Sequence, residues 1–393
     1  MTQRVMMRWQ AHSQFGWGIL GLNLFERWSS DPDIQPLMGS TMTSQDLAGM
    51  DPLRYSVMQP AMTASNHFIE SVTAARTDLR DSAVVVIDAF GNALQPAADR
   101  IGKVGIRNVA RCIFEDTRLT NTTPVAGYDS LLCASEWNAR MLRAAGAAPV
   151  TMIHEGIDHS LFFPGPRSGI LDPECFYIFT GGKIEFRKGQ DLVLFAFREF
   201  AARHDDAVLV TAWNSLWPER AAGFQVNLPA PLRLNSQGTL DLRRWVTENG
   251  ISPHQYIDLP MIPNQQLPAV LREMDCALQA SRSEACTNLP AKEAMACGVP
   301  VIVANNTGMR DLIDGDNCLP LTSQDPVTDQ PGIGTDGWGE SRVEEIVVAL
   351  EKLYTDTQMR KRIGARGAEW IVEKRRTWRD HTTDLKAHLL TLI

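Results

Sequence analysis

Short apolar runs, several of them rich in β-branched residues, alternate along the chain with stretches whose apolar positions fall three and four apart. Residues 82–91, SAVVVIDAFG, form the clearest run, a nearly continuous β-branched stretch ending in glycine, which is the pattern of a central parallel strand buried on both faces. Residues 4–9 (RVMMRW), 175–180 (CFYIFT), 206–215 (DAVLVTAWNS) and 276–281 (CALQAS) read as further strands, and 113–119 (IFEDTRL) as another strand end. Between them ILGLNLFERW, SEWNARMLRAAGA and the segment from about Gln190 carry helical spacing, and from Glu340 onward the chain reads as helix. Such alternation predicts an α/β protein with parallel sheets, right-handed crossovers and ligands at the carboxyl ends of the strands.

The stretch 281–303, SRSEACTNLPAKEAMACGVPVIV, packs a site and its scaffold into one βαβ corner. Thr287 or Asn288 can cap a helix there, Pro290 is tolerated in its first turn, Gly298 is placed to end it, and VPVIV begins a new strand. A helix start facing the carboxyl end of a parallel sheet favours phosphate, through unpaired amides and the helix dipole. Glu284 and Glu293 flank it, and carboxylates there accept hydrogen bonds from sugar hydroxyls. Amides for an anion between two hydroxyl-binding carboxylates suit a nucleotide sugar.

EACTNLPAKEAMACGVPVI resembles the E-x7-E signature of the retaining, nucleotide-sugar-dependent glycosyltransferases of family 4, with eight residues here between Glu284 and Glu293 and ACTN where a glycine-rich stretch is usual. The resemblance implies GT-B architecture, two Rossmann-like domains facing each other across a cleft. It implies that Glu293 holds the ribose and Glu284 the sugar hydroxyls, with the leaving diphosphate assisted by amides around Thr287, Asn288 and Leu289. In GGKIEFRKG it maps Lys183 and Lys188 onto the cations that face the diphosphate, whose developing charge fixed ammonium groups would stabilise. Gly16 and Gly18 close a tight βα turn or bring backbone close to a ligand; the resemblance favours the second, since relatives face the sugar and diphosphate with such a loop. Relatives also carry a histidine near residues 113–119. None lies between His67 and His154 here, and Glu115 is the substitute to test.

VTMIHEGIDHSLFFPG resembles the family's interdomain linker, which sets the expected domains at 1–166 for the acceptor, 167–375 for the nucleotide sugar, and 376–393 for a helix crossing back to the first domain. Backbone around Pro260 to Pro263 is expected to read the nucleobase, and Trp213 and Asn214 either line the cleft or, for the tryptophan, fill the interior. The implied activity is transfer of a hexose-type sugar from a nucleoside diphosphate donor to an acceptor hydroxyl with retention, the acceptor being a glycan, a lipid-linked sugar or a small molecule. No cofactor and no metal is called for.

Composition narrows the rest. A net charge of −8 and a pI near 5.6 argue against general nucleic-acid binding. Seven cysteines, odd in number and without CxxC spacing, read as reduced core residues of a cytosolic protein. No apolar run reaches the roughly 18 residues of a membrane span, and the start MTQRVMMRWQ is too short and polar for a signal peptide. Arg100, Lys103, Arg107 and Arg111 are spaced almost as a basic helical face that would touch an anionic acceptor or a membrane periphery, although scattered solvated charge is the commoner meaning of such a pattern.

GWGILG (16–21) also fits the G-x-G-x-x-G of a dehydrogenase, but no βα unit with a well-placed Asp follows. A sugar-nucleotide epimerase or phosphorylase shares the fold, and a non-catalytic nucleotide- or glycan-binding relative would keep Glu293 without turnover. Asp31-Pro32-Asp33 and Asp314-Gly315-Asp316 match a D-x-D metal pattern and read instead as turns.

Overall fold

A computed structural model describes residues 2–75, 79–97, 105–221, 228–328 and 332–393. Two six-stranded parallel sheets carry it. The first is built from β1 (Gln3–Met7), β2 (Ile34–Met38), β3 (Val84–Phe90), β4 (Arg107–Cys112), β5 (Ser130–Cys133) and β6 (Val150–Met152), in the order β2-β1-β3-β4-β5-β6. The second comprises β7 (Phe176–Gly181), β8 (Ala207–Ala212), β9 (Tyr256–Asp258), β10 (Cys276–Gln279), β11 (Val301–Ala304) and β12 (Leu319–Leu321), in the order β12-β11-β10-β7-β8-β9. The expected α/β class, with two Rossmann-like units, is what the chain adopts.

All seven residues of β3 are buried, because helices cover both faces of its sheet. Strand order reverses beside β1 and β3 in one sheet and beside β7 and β10 in the other. Two crossovers leaving neighbouring strands in opposite directions open a crevice at their carboxyl ends. The loops after these four strands therefore face the space between the lobes.

The helix Trp378–Leu392 packs on the first lobe although it follows the second in sequence. Trp378, Leu385 and Leu389 join the core that contains Trp9, Leu20 and Phe25, and Lys386 pairs with Asp31 at 2.7 Å and Asp33 at 2.7 Å. Both D-x-D segments are turns: the Asp33 amide donates to Asp31 Oδ1 at 2.8 Å, and Gly315 sits at φ +63°. Among the described residues no helix is long and apolar enough to cross a membrane.

Three expectations are corrected. Residues 113–119 are irregular, since β4 ends at Cys112 and its successor turns out into the cleft. Arg107 and Arg111 lie on that strand and not on a helix; Arg111 is buried and paired with Glu155 at 3.2 Å, so no basic face forms from them, and Arg100 and Lys103 lie outside the described residues. Between 321 and 343 the chain also forms a hairpin, β13 (Gln324–Pro326) with β14 (Gly339–Ser341), which precedes the helix Val343–Thr355.

Candidate active site

The four loops at the strand-order reversals line one cavity of about 850 Å³ between the lobes. That volume is in the range of pockets that take a nucleotide-sized ligand. Each loop is held by chemistry legible in its residues.

After β7 the chain runs through Gly181 and Gly182 into a 3₁₀ turn, Phe186–Lys188, and then Gly189 at φ +67°. A Cβ on Gly189 would stand 2.2 Å from the Ala280 carbonyl oxygen, so only glycine lets this turn lie against the exit of β10. The amides of Arg282 and Ser283 donate to the Arg187 carbonyl at 2.6 and 3.2 Å, tying the loops after β7 and β10 together. Lys188 and Glu284 meet because of that seam. Lys188 Nζ lies 2.7 and 2.9 Å from the two Glu284 carboxylate oxygens, to which Ser281 Oγ and Asn288 Nδ2 also donate at 2.7 and 2.8 Å. Burial alone would push the Glu284 carboxyl up, but Lys188 and Arg187 outweigh it and hold it below its ordinary value.

Arg187 is the junction of the network. Its guanidinium reaches Glu185 at 2.8 Å, Glu284 at 3.1 Å and, from the opposite lobe, Glu115 at 3.3 Å. The three carboxylates raise its affinity for the proton against the opposing effect of burial. Glu185 is drawn up by burial and down by Arg187 and Lys183, and settles at about 2. Lys183 is the outlying cation, 43% exposed, 2.7 Å from Glu185 and 5.8 Å from the Trp217 ring centre.

The helix Leu289–Ala296 begins at the cavity. Asn288 caps it, its side chain accepting from the Ala291 amide at 2.9 Å, and Pro290 occupies the first turn. Thr287 Oγ1 is buried without a hydrogen-bond partner among the described residues. One turn in, Glu293 is 2% exposed; burial raises its carboxyl to about 8, against the opposing pull of Asn264, whose side-chain amide donates to Oε1, and of Lys292.

Lys183, Lys188, Glu284, Glu115, Gly16, Thr287, Leu289 and Glu293 all line this cavity. Gly18 and Asn288 do not. A Cβ on Gly18 would be 2.5 Å from His12 Cβ, so that glycine serves the packing of the first helix on its own preceding loop. Asn288 is spent on the helix cap and on Glu284. Trp213 is an interior residue, fully buried, while Asn214 reaches the cavity. Sequence reasoning passed over Arg187 as an actor, although it stood beside Lys188. It also missed Asn264 and Trp338, whose partners Glu293 and Glu115 lie more than 25 residues away in sequence.

The lobes interlock at both ends of the cavity. The Asn264 amide donates to the Ser13 carbonyl at 2.7 Å, and at the far end Trp338 Nε1 donates to the Glu115 carbonyl at 3.0 Å and the Thr117 amide to Gly334 at 3.1 Å.

Residues 167–319 match the family model for glycosyl transferases group 1. The D-inositol 3-phosphate glycosyltransferase of Acidothermus cellulolyticus is 27% identical over 221 residues, 53% of this chain and 46% of that protein. Its namesake 1 from Catenulispora acidiphila is 27% identical over 197 residues, 48% of this chain and 44% of that protein, so the match spans about half the length of these curated relatives. Among solved structures, sucrose-phosphate synthase from Thermosynechococcus elongatus superposes with a TM-score of 0.66 at 15% identity, covering 99% of both chains. Anabaena HepE, crystallised with UDP and glucose, gives 0.65 at 13% identity over 99% of this chain and 100% of its own. The match to the group 1 glycosyl transferases covers the second lobe, residues 167–319, and the chain as a whole is built on the two-domain fold known as GT-B.

Proposed function

We propose that the protein transfers a hexose-type sugar from a nucleoside diphosphate sugar to an acceptor hydroxyl, with retention of configuration and without a metal. The observation that carries this reading is the convergence of Lys188, Glu284, Glu293 and the start of the helix Leu289–Ala296 on one cavity. Glu293 would hold the ribose, and protonated below about 8 it can donate as well as accept. Glu284, ionised by its cations, accepts from the hydroxyls of the transferred sugar. As the bond from the anomeric carbon to the diphosphate breaks, its electron pair passes to the phosphate oxygen, where Lys188, Lys183 and the amides of 287–289 oppose the charge. The acceptor oxygen bonds to the same face of that carbon, and its proton passes to the departing phosphate oxygen. Glu115 stands on the acceptor side, held there by Arg187.

The seven cysteines are all free thiols, which supports a cytosolic setting for this activity. Incubation with a panel of nucleotide sugars, following release of the nucleoside diphosphate, tests the reading; UDP sugars come first because HepE was crystallised with UDP. Lys188→Ala should cost about 100-fold in kcat, the scale of a lost electrostatic stabiliser. Glu293→Ala should raise the dissociation constant of the nucleotide. Full rate in both variants sinks the assignment.

A further inference from the structure

The two walls of the cavity differ in charge. Among the described residues the cations on it, Lys183, Arg187 and Lys188, all come from the second lobe, and each already faces a carboxylate within 3.3 Å. The wall from the first lobe carries two carboxylates, Glu115 and Glu155, and two aromatic rings, Phe15 and Trp17; among the described residues it has no lysine or arginine. Arg111 pairs with Glu155 at 3.2 Å but is itself 2% exposed and does not line the cavity. Trp338, bonded to the Glu115 carbonyl, and Trp217, whose ring centre is 6.0 Å from that of Phe15, add two more apolar surfaces at this end.

A donor diphosphate would engage the second-lobe cations and the helix start, and among the described residues no uncommitted cation lines the cavity for a second phosphate. We propose that the acceptor is a neutral hydroxylated ring compound laid with its apolar face on Phe15 and Trp17, and that phosphorylated acceptors are rejected. The inference rests on the glycosyltransferase reading and departs from the relatives named for inositol 3-phosphate. Sugar rings and phenolic glycosides share the needed chemistry, an apolar face with hydroxyls at the rim, which aromatic side chains and carboxylates complement.

The test begins with calorimetric titration of the full chain with nucleotide sugars, to identify one that binds. With that donor, kcat/KM is measured for matched pairs, glucose against glucose 6-phosphate and inositol against inositol phosphate, and for methyl against phenyl glucosides to separate the two neutral sources. The neutral member of each phosphate pair should lead by at least about tenfold, a discrimination that one like-charge contact across partly screened solvent suffices to give. Trp17→Ala should raise the acceptor KM about tenfold and leave the donor dissociation constant unchanged, and Trp17→Phe should recover most of the loss. Glu115→Gln, which frees one edge of Arg187, should narrow the gap within each pair.

Phosphorylated acceptors used as well as or better than their neutral partners overturn the inference and leave the glycosyltransferase reading standing. A protein that binds donor yet uses no neutral acceptor overturns it too. If no nucleotide sugar binds at all, the parent reading fails first and takes this one with it.

Discussion

Glu293 holds a carboxyl in a pocket where only 2% of the residue meets solvent, and burial lifts it from its ordinary 4.5 to about 8. The folded chain therefore keeps a proton that the unfolded chain releases between those values, so this group's contribution is intact below pH 4.5 and is lost as pH rises through 8. At about 1.4 kcal/mol per unit the loss is on the order of 5 kcal/mol. Glu293→Gln should remove this pH dependence, which urea midpoints at pH 5.5 and 8.5 will show as a smaller drop in the variant than in the parent. Arg187 presents the opposite case, a largely but not fully buried cation shared by three carboxylates. Arg187→Ala leaves Glu115, Glu185 and Glu284 facing one another with Lys188 and Lys183 alone to offset them. Breaking such a buried network by one partner should cost about 3–5 kcal/mol, read from thermal or urea unfolding, with Arg187→Lys between the two.

The element that sets the geometry of the candidate site is the seam between the loops after β7 and β10, and its tightest point is a glycine. Gly189 is left-handed and nearly touches the Ala280 carbonyl, so Gly189→Ala meets both a conformational cost and a clash. Stability should fall by at least about 2 kcal/mol, and kcat should fall with it because Lys188 is carried away from Glu284. A variant with unchanged melting temperature and rate would show that the seam does not position the lysine. The helix Leu289–Ala296 was readable in advance because its signals are local: an Asx cap, a proline in the first turn and a glycine stop. By contrast β2 and the long helix Pro52–Ala75 give weak signals, the strand carrying Pro36 at the sheet edge and the helix carrying Pro60 in its middle. Their identity is settled by packing against β1 and its helix, which overrides propensity.

Across the whole molecule, the last helix makes the first lobe depend on the end of the chain. Leu389 is fully buried among first-lobe residues, and Leu389→Ala should destabilise that lobe by about 2–5 kcal/mol although it lies more than 200 residues from the first sheet. Limited proteolysis should then cut first within residues 1–152, and initial cleavage in the second lobe would contradict the packing. The contacts of Ser13 with Asn264 and of Glu115 with Trp338 tie the two lobes together across the cavity that these residues line.

Local pattern determined the elements and the chemistry each loop would carry. Strand runs, helix spacing, caps and glycines act over a few residues, which is why Lys188, Glu284 and Glu293 could be named from the sequence as candidates before any contact was known. Tertiary structure decided which of these groups meet and in what state. Arg187 became a junction because Glu115 approaches from the other lobe, Glu293 took up its proton because the fold removed its water, and Gly18 served packing because His12 lay beneath it. Charge, burial and close approach depend on neighbours brought from far along the chain, and those are fixed only when the two sheets face each other.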